Sequence, residues 1–126
     1  MSLRSPLGRV RGLGSAKEGV GHWWAQRLTA LSLVPLTLWF CASVAGLAGA
    51  DYASFRAWVG APVNAGLLIL LIVAVFYHAM LGVQVVAEDY IHGEGRKLAV
   101  LLITKALAIV LGLAALLSVL TILFRG

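Results

Sequence analysis

The sequence predicts an all-α membrane protein with three transmembrane helices, and two observations support this fold class. Of the 126 residues, 61% are hydrophobic and 12% are charged, whereas an average soluble domain is about 45–50% apolar and about 25% charged. The hydrophobic residues also form three continuous runs, each longer than the roughly 20 residues that a helix needs to cross a bilayer. The runs lack the alternation of a barrel strand, so they predict helices.

Local sequence signals agree with the limits of these runs. Pro62 suits the first turn of the second helix, where its missing N–H costs no hydrogen bond. Pro35 should bend the first helix, which neighbouring helices in a membrane tolerate. The segment HGEGRK before the third run has the glycines and charges of a tight turn. The predicted spans are residues 25–49, 62–90 and 97–124, which form one transmembrane domain, 25–124, after a basic segment, 1–24.

A short amphipathic helix is predicted between the first two spans, over residues 51–61. Asp51 is a suitable N-cap, because its side chain can accept a hydrogen bond from an unpaired backbone N–H of the first turn. The helical period places the apolar side chains near one face. We therefore expect this helix to lie at the membrane interface.

The distribution of basic residues predicts the orientation of the spans. Seven of the ten Lys and Arg residues lie in the N-terminal segment, at the start of the first span or in the second loop. The opposite side has only Arg56 and Arg125. Segments rich in Lys and Arg stay in the cytoplasm, so we expect the N-terminus inside and the C-terminus outside. The seven residues are Arg4, Arg9, Arg11, Lys17, Arg27, Arg96 and Lys97.

Two other functions are disfavoured by residue usage. The basic residues form no stripe interleaved with aromatic residues, so the net charge of +5 does not indicate nucleic-acid binding. The single cysteine, Cys41, has no second cysteine with which to form an internal disulfide or a cysteine-based metal cluster.

The second span contains an unusual set of polar residues in the stretch YHAMLGVQVVAEDYIH. His78 lies near the middle of this span, where polar side chains are costly and usually face the bundle interior or a functional cavity. Asp89 follows eleven residues later, which is three helical turns plus about 20°. Asp89 therefore shares a face with His78, and Gly82 borders the histidine one turn along that face.

Two interpretations of this stripe remain open. In the first, small residues beside a neutral imidazole leave room for a flat cofactor, with His78 as an axial ligand of haem iron. Asp89 and Tyr90 then form the polar end of a quinone pocket. In the second, His78 hydrogen-bonds a carbonyl or a Ser/Thr side chain of a neighbouring helix. Asp89 and Tyr90 are then ordinary residues of the membrane interface.

A second polar set, GHWWAQRLTA, enters the first span from the inner side. Arg27 lies about one turn inside the span. Its planar guanidinium could pair with haem propionates or with an acid of a quinone site, or it could reach out to lipid phosphates. His22 presents the same choice between assisting a cofactor and being solvated.

These two segments together resemble the small membrane-anchor subunit of succinate dehydrogenase (respiratory complex II). The family pattern has a histidine in the second helix, a glycine four residues later and an Asp-Tyr pair that closes the helix. HAMLGVQVVAEDY matches that pattern, and GHWWAQRLTA matches the entry to the first helix. The resemblance covers roughly residues 12–124, although the third span matches only as a hydrophobic run.

The resemblance implies particular roles for these residues. His78 would be one axial ligand of a b-type haem shared with a histidine of a second, partner membrane anchor, with Gly82 beside it. Arg27, with His22, would contact the haem propionates. Tyr90 would donate a hydrogen bond to a carbonyl of ubiquinone, and Asp89 would support that site and its proton supply.

The resemblance also implies partners and a location. The flavin (FAD) and the iron–sulfur clusters would lie in a flavoprotein subunit and an iron–sulfur subunit. The complex would oxidise succinate and reduce quinone in the bacterial inner membrane, with the mitochondrial inner membrane as an alternative, and this chain would not be catalytic alone. A fumarate reductase anchor and a structural assembly or accessory protein without a redox role are the competing functions. The basic residues on the inner side could contact the iron–sulfur subunit, or they could serve only to orient the helices in the membrane.

Overall fold

The computed structural model describes residues 5–10 and 17–125, and these residues form five α-helices without strands. Three of the helices are long and apolar enough to cross a membrane, and a short helix lies between the first two of them. The predicted fold class is therefore confirmed. The helices are α1 (Pro6–Val10), α2 (Lys17–Gly46), α3 (Tyr52–Gly60), α4 (Pro62–Tyr90) and α5 (Glu94–Arg125).

Two helices extend beyond the predicted spans at the end that the basic residues predict to be inside. Helix α2 begins at Lys17 rather than at residue 25, and α5 begins at Glu94 rather than at residue 97. The predicted turn HGEGRK is thus mostly the first turn of α5, and the connection is only Ile91–Gly93. The Lys97 amide already donates to the Gly93 carbonyl over 2.9 Å. Hydropathy marks where a helix meets lipid, whereas backbone hydrogen bonding continues into polar residues.

Helix α2 ends at Gly46, three residues before the predicted end of the first span. Gly49 follows with a φ of 81°, a left-handed conformation that favours glycine. Pro35 lies inside the continuous helix α2. Arg4 and Arg11 lie outside the described residues, and so do the side chains of Arg9 and Lys17.

The short helix α3 is fixed at both ends. The Ser54 amide donates to Asp51 Oδ1 over 2.8 Å, so the predicted N-cap is confirmed. This hydrogen bonding lowers the pKa of the Asp51 carboxyl group. The Asn64 side chain of α4 donates to the Trp58 carbonyl over 2.9 Å. The Trp58 ring stacks on Trp39 of α2 with centroids 5.6 Å apart. Helix α3 therefore joins the ends of the spans on its side of the protein.

Helix α4 lies between the other two spans. It packs against α2 and against α5, while the described parts of α2 and α5 have no close backbone approach to each other. No residue in the most hydrophobic window of α2 is buried. The largest apolar cluster is small and lies where α3 meets α4 and α5; it contains Val59, Ala65, Leu68 and Val119. Most apolar surface of the spans thus faces outward, as in helices that contact lipid or other membrane chains.

A glycine allows α5 to approach α4 closely. Gly112 is buried, and a Cβ added to it would lie 3.5 Å from the nearest ring atoms of Phe76. An alanine fits at that distance, whereas a longer side chain would meet the aromatic ring. Small residues at such contacts let the backbones of membrane helices come close together.

Replacing Gly112 with leucine should lower the thermal midpoint of the detergent-purified protein, because overpacking of this kind costs about 1–3 kcal/mol. Gly112→Ala should have a much smaller effect. Gly66→Leu is the matched control, since an added Cβ at Gly66 would have nothing within 4 Å. Equal destabilisation by the two leucine variants would contradict close packing at Gly112.

Candidate functional site

His78 is half-buried on α4, at the side that packs against α2. Its Nδ1 atom lies 3.0 Å from the hydroxyl oxygen of Thr29 on α2. The sequence left open whether this histidine binds haem or hydrogen-bonds a neighbouring helix. The hydrogen bond to a neighbouring helix is present. It involves Nδ1 alone, so Nε2 remains a possible ligand for a metal.

Thr29 is the residue whose role the sequence did not reveal. It appeared only as a neighbour of Arg27 in the RLTA segment, with no partner on another helix. Its hydroxyl also lies 2.7 Å from the Ala25 carbonyl oxygen and 3.1 Å from the Gln26 carbonyl oxygen. The sequence feature that could have indicated this contact is the spacing of the polar residues. Thr29 lies seven residues after His22 and three after Gln26, and thus on the same helical face.

This polar face of α2 is directed at the glycine that the sequence had singled out. A Cβ added to Gly82 would have one neighbour within 4 Å, the Gln26 Nε2 atom at 3.9 Å. The structure therefore brings Gln26 and Thr29 to the same side of α4 as Gly82 and His78. Apart from this atom, nothing else that could hinder an added side chain lies within 4 Å of that Cβ position.

Two polar atoms on the same face lack partners. His22 Nε2 and Gln26 Oε1 are buried and have no hydrogen-bond partner among the described residues. Buried polar atoms of folded proteins are nearly always paired with protein groups, water or a ligand. The inner half of the α2–α4 contact therefore has unmet hydrogen-bonding capacity.

Arg27 occupies the exposed surface of α2. Its guanidinium carbon lies 5.4 Å from the centroid of the Trp23 ring, a cation–π contact between residues one turn apart. Trp23 packs edge-on against Trp24 with centroids 5.0 Å apart. Both indoles are about half exposed, as suits amphipathic aromatic side chains at a membrane interface.

At the inner end of α4 the predicted stripe leaves the contact with α2. Gly82 is half-buried, Val85 is 41% exposed, and Asp89 is exposed. Tyr90 is 78% exposed and lines a cavity of about 420 Å³ at the junction of α4 and α5. The other residues around this cavity are Ile91, His92, Arg96, Ala99 and Val100.

Arg96 and His92 were assigned only to the turn by the sequence, yet both line the cavity next to Tyr90. The Arg96 side chain folds back over Gly93, where an added Cβ would lie 3.2 Å from Nε. Asp89 does not line this cavity. The cavity is thus lined by the polar residues Tyr90, His92 and Arg96 together with apolar residues, two of them from α5.

His78 is a single potential metal ligand and does not belong to a complete set of ligands among the described residues. Within residues 5–10 and 17–125, no three His, Cys, Asp or Glu side chains come together as a metal site. A metal bound by His78 would take its remaining ligands from another group. A porphyrin supplies four nitrogens to its iron, so the donor set fits one axial position of a haem.

These features define the class of the protein as a small integral membrane subunit with a polar contact inside the bilayer. The model of the succinate dehydrogenase/fumarate reductase transmembrane subunit family matches residues 1–121. The chain therefore belongs to this family, in which it is a membrane anchor.

Curated relatives agree with the family. The hydrophobic membrane anchor subunit of succinate dehydrogenase from Rickettsia bellii is 37% identical over 89 residues, which are 71% of each chain. The corresponding protein from Paracoccus denitrificans is 33% identical over 101 residues, which are 80% of this chain and 78% of that one. The corresponding protein from Rickettsia conorii is 33% identical over 71% of each chain. No solved structure matches the chain.

Proposed function

We propose that this membrane anchor helps to bind one b-type haem and forms part of the site at which succinate dehydrogenase reduces ubiquinone. Its partners would be a second membrane anchor, the iron–sulfur subunit and the flavoprotein subunit, and its location the bacterial inner membrane. The observation that best supports the redox role is the half-buried ring of His78, whose Nδ1 is paired with Thr29 while Nε2 is left for a ligand. This arrangement is typical of metal-binding histidines, in which the second ring nitrogen is hydrogen-bonded.

The residues around His78 fit a haem. Nε2 of His78 would be one axial ligand, and a histidine of the second membrane anchor would be the other. Gly82 has no side chain, and an added Cβ there would meet only the Gln26 Nε2 atom within 4 Å, so the edge of a flat macrocycle would approach the helix beside the ligand. When bound, the haem supplies an iron that accepts and returns single electrons.

The inner end of α2 would bind the propionate groups of that haem. His22 Nε2 is buried without a partner among the described residues and needs a polar group beside it. Arg27 would contribute its donor fork, which matches a carboxylate in shape and charge. Its contact with the exposed face of Trp23 is individually weak, so it could be exchanged for a carboxylate partner.

The cavity beside Tyr90 would receive the head group of ubiquinone. A quinone carbonyl accepts hydrogen bonds, and the Tyr90 phenol is a donor. Asp89, exposed beside it, would take up protons from the inner side, because reduction of a quinone to a quinol consumes two electrons and two protons. Ala99 and Val100 would contact the apolar part of the molecule, and Arg96 would add a positive charge that favours the developing oxyanion.

The first turn of α5 would also face the peripheral subunits, with the N-terminus on the same side. Of its basic residues, Lys97 already lies 3.7 Å from Glu94 within the first turn of α5. Arg96 is exposed and is the better candidate for a contact with the iron–sulfur subunit.

The competing function is a fumarate reductase anchor, since the family description includes both enzymes. The relatives with 33–37% identity are anchors of succinate dehydrogenase, which favours succinate oxidation. If the chain were an assembly protein without a redox role, the buried atoms of His22 and Gln26 would need a hydrogen-bond partner other than a cofactor.

Removing the proposed ligand should change the haem spectrum. The purified wild-type complex should show a low-spin, bis-histidine b-type spectrum, and His78→Ala should abolish that signal or convert it to another ligation state. Ser118→Ala is the matched control, because Ser118 is exposed on α5 and its hydroxyl donates to the Ala114 carbonyl of the same helix. An unchanged low-spin spectrum in His78→Ala would exclude His78 as a ligand.

Removing the phenol should slow quinone reduction selectively. In Tyr90→Phe we expect a decrease of about 2- to 13-fold in succinate:quinone activity, which corresponds to the loss of one neutral hydrogen bond of about 0.5–1.5 kcal/mol. Succinate oxidation with an artificial acceptor should stay unchanged. Tyr52→Phe, on α3, controls for the loss of an exposed phenol. Equal loss of both activities in Tyr90→Phe would indicate misassembly instead of a quinone contact.

A further inference from the structure

The hydroxyl group of Thr29 has three neighbouring polar atoms but only one proton. Its oxygen lies 2.7 Å from the Ala25 carbonyl, 3.1 Å from the Gln26 carbonyl and 3.0 Å from His78 Nδ1. A hydroxyl donates one hydrogen bond and accepts two, whereas a carbonyl oxygen only accepts. The shortest separation is typical of an O–H···O hydrogen bond. The proton of Thr29 therefore points at the carbonyls of its own helix, and a lone pair of Oγ1 faces His78.

This arrangement favours one position for the imidazole proton. A neutral imidazole has one N–H and one nitrogen with a free lone pair. Opposite the lone pair of Thr29, the favourable arrangement puts the proton on Nδ1, which donates to Oγ1. Nε2 is then the nitrogen with the free lone pair, and only that form can bind a metal without losing a proton first.

We propose that Thr29 is a positioning residue, which fixes the tautomer and the ring orientation of His78 so that Nε2 is presented to haem iron. The proposal rests on the haem ligation proposed above. It adds a residue of α2 beside the imidazole ring itself, where the sequence had placed only Gly82 of α4.

The position of the hydroxyl is itself well determined. Threonine has a branched Cβ and few rotamers in a helix, and contacts of Oγ1 with the carbonyls three and four residues earlier select one of them. Both such contacts are present here, with Gln26 and Ala25. Oγ1 is therefore held by the backbone of α2, and it holds the ring of His78 in turn.

A hydrogen bond at Nδ1 also affects the metal electronically. It raises the basicity of the ligating nitrogen, and a more basic ligand stabilises ferric iron relative to ferrous iron. Hydrogen bonding to an axial ligand is one of the means by which a protein tunes haem potential. Loss of the Thr29 hydroxyl should therefore make the midpoint potential of the haem more positive, a change that a purely structural contact would not produce.

The test compares three variants in the complete purified complex: Thr29→Val, Thr29→Ser and Ser32→Ala. Valine keeps the branched shape and removes the acceptor, whereas serine keeps the hydroxyl. Ser32 is the matched control, since its hydroxyl donates to the Leu28 carbonyl over 2.9 Å and is exposed on the same helix. The measurements are the midpoint potential of the haem, its low-temperature electron paramagnetic resonance spectrum and the haem content per flavin.

Thr29→Val should shift the potential to a more positive value, alter the resonance spectrum and lower haem retention on dilution. Thr29→Ser and Ser32→Ala should match the wild type in all three measurements. Wild-type values in Thr29→Val would overturn the proposal, and so would equal shifts in the valine and serine variants. If Thr29→Val does not assemble, Thr29→Ala removes the same acceptor with less bulk and is judged by the same criteria.

The outcome for His78 separates this proposal from the proposed function. If His78→Ala keeps the bis-histidine spectrum, haem ligation by this chain is wrong and the role of Thr29 fails with it. If His78→Ala loses that spectrum while Thr29→Val keeps the wild-type potential, only the positioning role is wrong.

Discussion

A polar ring inside the apolar part of a membrane must find hydrogen-bonding partners, and this requirement governs the arrangement of α2 and α4. An unpaired polar group in hydrocarbon costs several kcal/mol. The contact between Thr29 and His78, 3.0 Å long, satisfies one ring nitrogen and joins two helices that are 49 residues apart in sequence at that point. The same contact orients the other nitrogen, at which we propose that haem iron binds. Structural and functional roles thus depend on one hydrogen bond.

The packing of the chain is consistent with a subunit that is completed by other proteins. Helix α4 has a neighbouring span on two sides, while the most hydrophobic window of α2 has no buried residue. His22 and Gln26 leave polar atoms buried without partners among the described residues, close to the proposed cofactor. Hydrophobic surface alone does not drive association in a lipid bilayer. A shared cofactor and a second membrane anchor would supply the specific contacts that this chain has not satisfied by itself.

The sequence was a good guide wherever one physical property determined the structure. Hydropathy located three spans, and the preferences of Asp51 and Pro62 located the helix starts at which they lie. Hydropathy did not indicate where α2 and α5 begin, because hydropathy falls at the membrane surface while the helix continues. The role of Thr29 could not be predicted, because it depends on which side of α2 faces His78, a property of tertiary packing. Arg96 was likewise placed in a turn, although its side chain folds back over Gly93 towards the cavity beside Tyr90. The site roles proposed for His78, Tyr90 and Asp89 stay predictions.

The most direct measurement is an experimental structure of the intact complex with its cofactors, at a resolution that defines the imidazole ring and the porphyrin. We expect haem iron bonded to Nε2 of His78, Thr29 Oγ1 within hydrogen-bond distance of Nδ1, and a histidine of the second membrane anchor on the opposite face of the haem. A map in which Nε2 of His78 is hydrogen-bonded to a protein group, with haem elsewhere or with iron bonded only to other residues, would contradict the central claim.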